Sequence, residues 1–254
     1  MTRALPVTVA QPQTARQASR PNMRVLTYAT DGWMAAVSAG DEFRVKRMIE
    51  VGQDIHVRDT AGWNALLIAT VHGRAAIVML LLAQGAHLNA RDRHGNTALM
   101  WACRYQLVAI ARMLITAKAS LTRKNHRGQT ALMLAAEACN DDTVHAIIVA
   151  CFRKLMHVQD DDGMTALHYA CLAGGADCAH RLVYGGSLVN CRAKSGHSAL
   201  MLAARRGHEA IVEVLLAGGA DATMPLSKKV RGCTCAWNSE ARASAHAVRQ
   251  CGCA

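Results

Sequence analysis

Apolar residues along this chain fall into short runs of helical length, many closed by glycine and separated by polar turn residues. NALLIATVHG runs from Asn64 to Gly73, and AAIVMLLLAQG from Ala75 to Gly85. Both runs end where a residue able to take positive φ is favoured, so they predict two short helices joined by a tight turn. The pair then returns. The stretch DTAGWNALLIATVHGRAAIVMLLLAQGAHLN begins at Asp59, and DRHGNTALMWACRYQLVAIARMLITAKASL begins at Asp92, 33 residues later. Its opening recurs as NHRGQTALMLAA from Asn125, DDDGMTALHYAC from Asp160 and AKSGHSALMLAA from Ala193, at spacings of 33, 35 and 33. A degenerate copy, ATDGWMAAVSAGD, puts Gly40 33 residues before Gly73. A fixed period of this length marks a stacked array of supersecondary units.

The phrase itself resembles the ankyrin repeat, whose signature is a β-turn, a T-P-L-H-x-A helix start and two antiparallel helices. Matching residues are Gly62, Asn64, Ala65, Leu66 and Ala69, then Gly95, Thr97, Ala98, Leu99 and Ala102, with equivalents after Asn125, Asp160 and Ala193. The resemblance spans Tyr28 to Leu226. It implies an all-α solenoid of helix-turn-helix pairs with β-hairpin-like loops: about six repeats (26–58, 59–91, 92–124, 125–159, 160–192 and 193–225) and a degenerate seventh, residues 226–254, as a cap. Two departures stand out. Alanine replaces the family's proline at the first helical turn, giving up its fixed φ. Leu67, Met100, Met133 and Met201 replace the signature histidine, leaving His168; those turns are expected to lose a hydrogen bond and to rely on packing. The fourth repeat is two residues longer than its neighbours, so a bulge is expected near Asn140 to Asp142 or near Arg153 to His157. In the first repeat Asp41, Glu42, Arg44, Lys46, Arg47 and Glu50 suit a flank that faces water.

Charge changes the picture at the ends. The chain carries +11, of which the first 25 residues hold +4 and residues 226–254 another +4, leaving +3 for the repeats. Residues 1–25 are a basic arm or a targeting segment: Arg3, Arg16, Arg20 and Arg24 without one acidic residue fit a mitochondrial transit peptide, whereas Pro6, Pro12 and Pro21 break any amphipathic helix. No apolar h-region follows Arg3, and no run reaches a membrane span. Of the ten cysteines, Cys103, Cys171 and Cys178 fall at apolar helix positions and are expected to be small buried hydrophobes. Cysteines scattered in this way point to a reducing compartment, cytoplasm first and nucleus second. Cys233, Cys235, Cys251 and Cys253 could make a zinc site, though two Cys-x-Cys pairs depart from the usual ligand spacing. A capping repeat explains the same segment without metal.

Function is then sought on the inner face, where the resemblance places partner-reading residues at repeat positions 2, 3, 5, 13, 14 and 33. Carried over, these give Trp63, His72 and Arg91 in the second repeat, and Arg93, His94, Arg104, Tyr105 and Lys124 in the third. The fourth gives His126, Arg127 and Glu137, the fifth Asp161, Asp162 and Arg192, and the sixth Lys194, His197, Arg205 and Arg206. The strip is mostly basic, opposed by Glu137, Asp161 and Asp162 alone. The expectation is a monomeric adaptor, scaffold or inhibitor that binds an acidic or phosphorylated protein, with Trp63 and Tyr105 as anchors. The alternative is a nucleic-acid-associated nuclear regulator using the basic strip, the tails and the Leu226 to Arg231 run LSKKVR; no base-reading module accompanies it. Catalysis is not expected: the recurring histidines follow the repeat register, no cofactor motif is present, and Asp160 to Asp162 suit a turn.

Overall fold

The computed structural model describes residues 32–151 and 155–223. The basic N-terminal arm at 1–25, the segment 226–254 expected to form a cap, and its four cysteines lie outside the described residues. Among the described residues twelve helices follow in pairs: α1 (32–39) and α2 (Glu42–Glu50), α3 (Ala65–Val71) and α4 (Ala75–Ala83), α5 (Ala98–Arg104) and α6 (Val108–Thr116), α7 (Ala131–Glu137) and α8 (Asp141–Cys151), α9 (Ala166–Ala173) and α10 (Ala176–Tyr184), α11 (Ala199–Arg206) and α12 (Glu209–Ala217). Extended structure among the described residues is limited to isolated antiparallel bridges, Arg58 with Asn64, Arg91 with Thr97 and Arg192 with Ser198. These pin the hairpins between pairs. The helices form two rows: α3, α5, α7, α9 and α11 stack on one another in an inner row, and α2, α4, α6, α8, α10 and α12 in an outer one.

Small residues make the inner row possible. Ala65, Ala69, Ala98, Ala102, Ala131, Ala135, Ala166, Ala170, Ala199 and Ala203 are all buried, so neighbouring backbones approach closely. Beside them Leu66, Leu99, Leu132, Leu167 and Leu200 fill the space between the rows, joined by Ile77, Leu81, Ile110, Leu114, Ile147, Leu182, Ile211 and Leu215 from the outer helices. One continuous core results, in which each repeat is closed only by its neighbours. Each inner helix starts on a polar cap: Asn64 Oδ1 accepts from Leu67 N–H at 2.9 Å, and Thr97, Thr130 and Ser198 hydroxyls accept from the third residue on at 3.4–3.5 Å. Such caps stabilise a helix by about 1 kcal/mol.

One expectation is corrected here, and another is narrowed. Met133 does replace the histidine's contact, because its Sδ accepts from Thr130 N–H at 3.4 Å; a thioether is a weak acceptor, and the capping box survives in weaker form. At His168, Nδ1 lies 3.1 Å from Thr165 N–H and 2.8 Å from its hydroxyl. The fourth repeat has no bulge at Asn140 to Asp142. α7 and the turn keep the register of the third repeat, and Asn140 caps α8 through Oδ1 to Thr143 N–H at 3.1 Å. α8 runs for 11 residues where α6 has 9, and the other expected location, Arg153 to His157, lies partly outside the described residues. Phe43 and Val51, 76% and 84% exposed, lie on the solvated first-repeat flank. Cys103, Cys171 and Cys178 are buried as expected, and desolvation pushes the thiols of Cys171 and Cys178 up to about 12.

Candidate functional site

The hairpins are built by one residue each. Asp59, Asp92, Asn125 and Asp160 use a single Oδ1 to accept from the N–H groups two and four residues on, at 2.7–3.0 Å. This is the turn chemistry expected of Asp and Asn, and it confirms that Asp160 shapes a turn. Neighbouring tips are then tied backbone to backbone: His126 N–H to His94 O at 3.0 Å, Asp161 N–H to Arg127 O at 3.2 Å, and Lys194 N–H to Asp162 O at 2.8 Å. Gly128 shows how close the tips come. A Cβ there would lie 2.7 Å from both the N and Oδ1 of Asp161, and its φ is +73°. The ridge therefore presents Arg93 and His94, His126 and Arg127, Asp161 and Asp162, and Lys194 in a fixed order.

Behind the ridge runs a polar and aromatic band. Trp63 and Trp101 lie with ring centroids 5.4 Å apart, and Trp101 stacks on Tyr105 at 5.5 Å and 13°. The second oxygen of two turn carboxylates is used here. Asp92 Oδ2 accepts from Trp101 Nε1–H at 3.0 Å, and Asp160 Oδ2 from the Tyr169 hydroxyl at 2.6 Å. Asn125 Nδ2 donates to Asn96 Oδ1 and Gln129 Oε1, both at 3.0 Å, and Gln129 Nε2 donates to the Tyr169 oxygen at 2.8 Å. Burial and the Asp160 carboxylate both raise the Tyr169 phenol above its usual range. In the middle lies a hollow of about 440 Å³, lined by Trp101, Arg104, Tyr105, His94, His126 and Arg127 with Asn96, Asn125 and Gln129 at its floor. Half-exposed Tyr105 (49%) forms one wall.

Five of the expected site residues therefore share one hollow. Others take a different part. At the last position of each repeat, Arg58 Nη1 donates to Arg91 O at 2.9 Å, Arg91 Nη2 to Lys124 O at 3.0 Å, Lys124 Nζ to Gln159 O at 2.7 Å, and Gln159 Nε2 to Arg192 O at 3.2 Å. Arg91 also donates to Gly95 O at 3.1 Å. These side chains form a ladder that ties each repeat to the next. By contrast, the ion pairs among the described residues join outer helices, Arg181 to Asp141 at 2.5 Å and Arg112 to Asp142 at 3.9 Å. Arg93, Arg104, Arg127, Arg205 and Arg206 are exposed. Of the histidines, His72 donates Nδ1 to Ile68 O at 2.9 Å at the end of α3, and His197 meets the Ser195 hydroxyl at 3.0 Å. Burial first, and Arg205 second, lower the pKa of His197.

Sequence reasoning missed Trp101, Asn125 and Tyr169. Trp101 and Tyr169 stand at the inner-helix position held by Ile68, Leu134 and Leu202 in other repeats, nine residues after a turn carboxylate. A hydrogen-bonding aromatic at a period-33 aliphatic position was the available signal. A model for ankyrin repeats in three copies matches residues 33–125 and 132–225. The chain belongs to the ankyrin-repeat family. Its solved likenesses include the ankyrin repeat domain of Bcl-3, an IkappaB-family member, at 27% identity over 76% of this chain and 88% of that one, with a TM-score of 0.68. An ankyrin repeat domain of Acinetobacter baumannii AYE, ABAYE2397, is 28% identical over 75% and 98%, with a TM-score of 0.69. A chain of the Bdellovibrio bacteriovorus complex between predatory endopeptidase Bd0816 and immunity protein Bd3460 is 26% identical over 73% and 96%, at 0.66. No curated protein matches the chain. Ankyrin repeats generally mediate protein–protein interaction, and no helix among the described residues is long and apolar enough to cross a membrane.

Proposed function

We propose that this ankyrin-repeat protein is a monomeric, non-catalytic adaptor, scaffold or inhibitor of the cytoplasm or nucleus, which docks an acidic or phosphorylated protein on its inner face. The observation that carries this is the hollow itself. Arg104 and Arg127 with His94 and His126 line it beside Tyr105, and no carboxylate is among its lining residues. Guanidinium groups suit carboxylate and phosphate through paired N–H donors, and an aromatic wall supplies apolar area. The rigid stack holds these groups in place before binding, so little ordering entropy opposes docking. Duplex nucleic acid is favoured less, since Glu137, Asp161 and Asp162 interrupt the row of cations along which phosphates would lie.

The test is capture from the protein's own cells by wild type and by the Arg93→Glu/Arg104→Glu/Arg127→Glu variant, with mass spectrometry. Arg91 and Lys124 are left untouched, because they hold the repeats together. Loss of acidic or phosphorylated proteins from the variant is expected; the same proteins on both forms would overturn the proposal.

A further inference from the structure

The inner face is not uniformly basic, and the order of its charges is fixed by backbone geometry. The tips of the third and fourth repeats carry Arg93 and Arg127, tied through the His94–His126 hydrogen bond, and Arg104 lies at the end of the helix behind them. The next tip is acidic. Asp161 N–H bonds Arg127 O, and Asp162 O accepts from Lys194 N–H, so two carboxylates are held between the neighbouring basic tips. Glu137, at the end of α7, extends this acidic band onto the helix row, close enough to Tyr169 to raise its phenol further. Beyond the band the sign reverses again: Lys194 stands on the sixth tip, and Arg205 and Arg206 in the last turn of α11.

Resting on the inner-face docking proposed above, we infer that the partner is a protein segment with two clusters of carboxylate side chains flanking a basic one, read in register by the plus–minus–plus order of these repeats. Helices stack 8–10 Å apart, which puts the two basic patches about 20 Å apart. An extended strand covers that distance in about six or seven residues. A uniformly acidic segment would lay carboxylates against Asp161, Asp162 and Glu137; like charges brought together are how a surface rejects a wrong partner.

Two synthetic peptides of one composition test the register on the full-length protein. One is Glu-Glu-Glu-Gly-Lys-Lys-Gly-Glu-Glu-Glu; its isomer places both lysines and both glycines before six glutamates. Titrated at low salt by fluorescence anisotropy, the alternating peptide is expected to bind about five-fold more tightly or better, the effect of two or three exposed charge pairs. In the Glu137→Lys/Asp162→Lys variant the preference should pass to the isomer, and in Glu137→Gln/Asp162→Asn it should vanish. Circular dichroism checks that both variants keep their helices. Equal affinities for wild type, an unchanged preference in the variants, or no binding of either peptide at about 1 mM would overturn the register. Loss of captured proteins on arginine reversal would still stand in any of those cases, so the two proposals fail separately.

Discussion

At the scale of single residues, the helix ends show where the repeat is compromised. Gln106, Lys118 and Cys139 hold φ of +57°, +68° and +52°, in the left-handed region that Gly73, Gly85, Gly174 and Gly207 occupy in other repeats. A side chain there strains the backbone by about 1–2 kcal/mol. Lys118→Gly should therefore raise stability by about 1 kcal/mol, measured as a higher urea midpoint; Gln106 is the poorer target, since its Nε2 donates to Ala138 O. His168 is the second case. Burial, the largest influence, lowers its pKa below the ordinary 6.5, against the opposing pull of the His197 and Cys191 carbonyls. The unfolded chain therefore takes up the proton first as pH falls. Stability from this group is complete above about pH 7 and declines as pH drops through 6.5 toward the folded value. His168→Met, which copies Met133 in its Thr130 contact, should fold and lose part of the fall in urea midpoint between pH 7.5 and 5.5. Both positions were legible in the sequence, since Gly73 and Gly174 align with Gln106 and Cys139 at the helix end, and His168 with Met133 in the first turn, at the repeat spacing. The acceptor role of the Met133 sulfur was not, because its contact depends on a side-chain rotamer that repeat spacing does not encode.

At the scale of elements, the repeat-end ladder and the hairpin tips set the spacing on which the site depends. Arg91 bridges its own hairpin and the next repeat through Gly95 O and Lys124 O. Arg91→Ala should lower stability by about 1–2 kcal/mol, the loss of two hydrogen bonds from a charged donor. Arg104→Ala, at the exposed end of α5, should leave the urea midpoint within about 0.5 kcal/mol of wild type. Equal losses from both would contradict the division drawn here between ladder and surface. Gly128→Ala must move Asp161 away and hold a side chain at φ +73°. It is expected to cost about 2 kcal/mol or more and to separate the fourth tip from the fifth. The sequence placed Arg91 and Lys124 on the inner face by register alone. What those long side chains reach depends on the carbonyl of the next repeat, a contact 33 residues away that no local pattern announces. The aromatic band was hidden for the same reason: Trp101 and Tyr169 take on a polar role only because Asp92 and Asp160 have an oxygen left over from the turn.

At the scale of the whole molecule, the described residues form a stack of units whose inner helices share one alanine-leucine pattern and whose outer helices vary. The period, helix ends and alanine-lined core followed directly from the sequence, because each repeat must bury the same stripe against its neighbours. The candidate site was only partly legible. Register alone marked Arg104, Tyr105, His94, His126 and Arg127, which line one hollow, while the order of charge along the tips follows from the backbone bonds between them. Recognition through an inner face of this kind has a direct consequence: a reactive group on that face must meet the partner, and one on the outer face must not. A photo-crosslinking amino acid at Tyr105, in the hollow, is therefore compared with one at Met79, 55% exposed on outer helix α4. After irradiation in the protein's own cells, acidic or phosphorylated proteins are predicted to be attached through position 105 and absent from position 79. Adducts at Met79 with none at Tyr105 would contradict the account and move recognition to the outer helices.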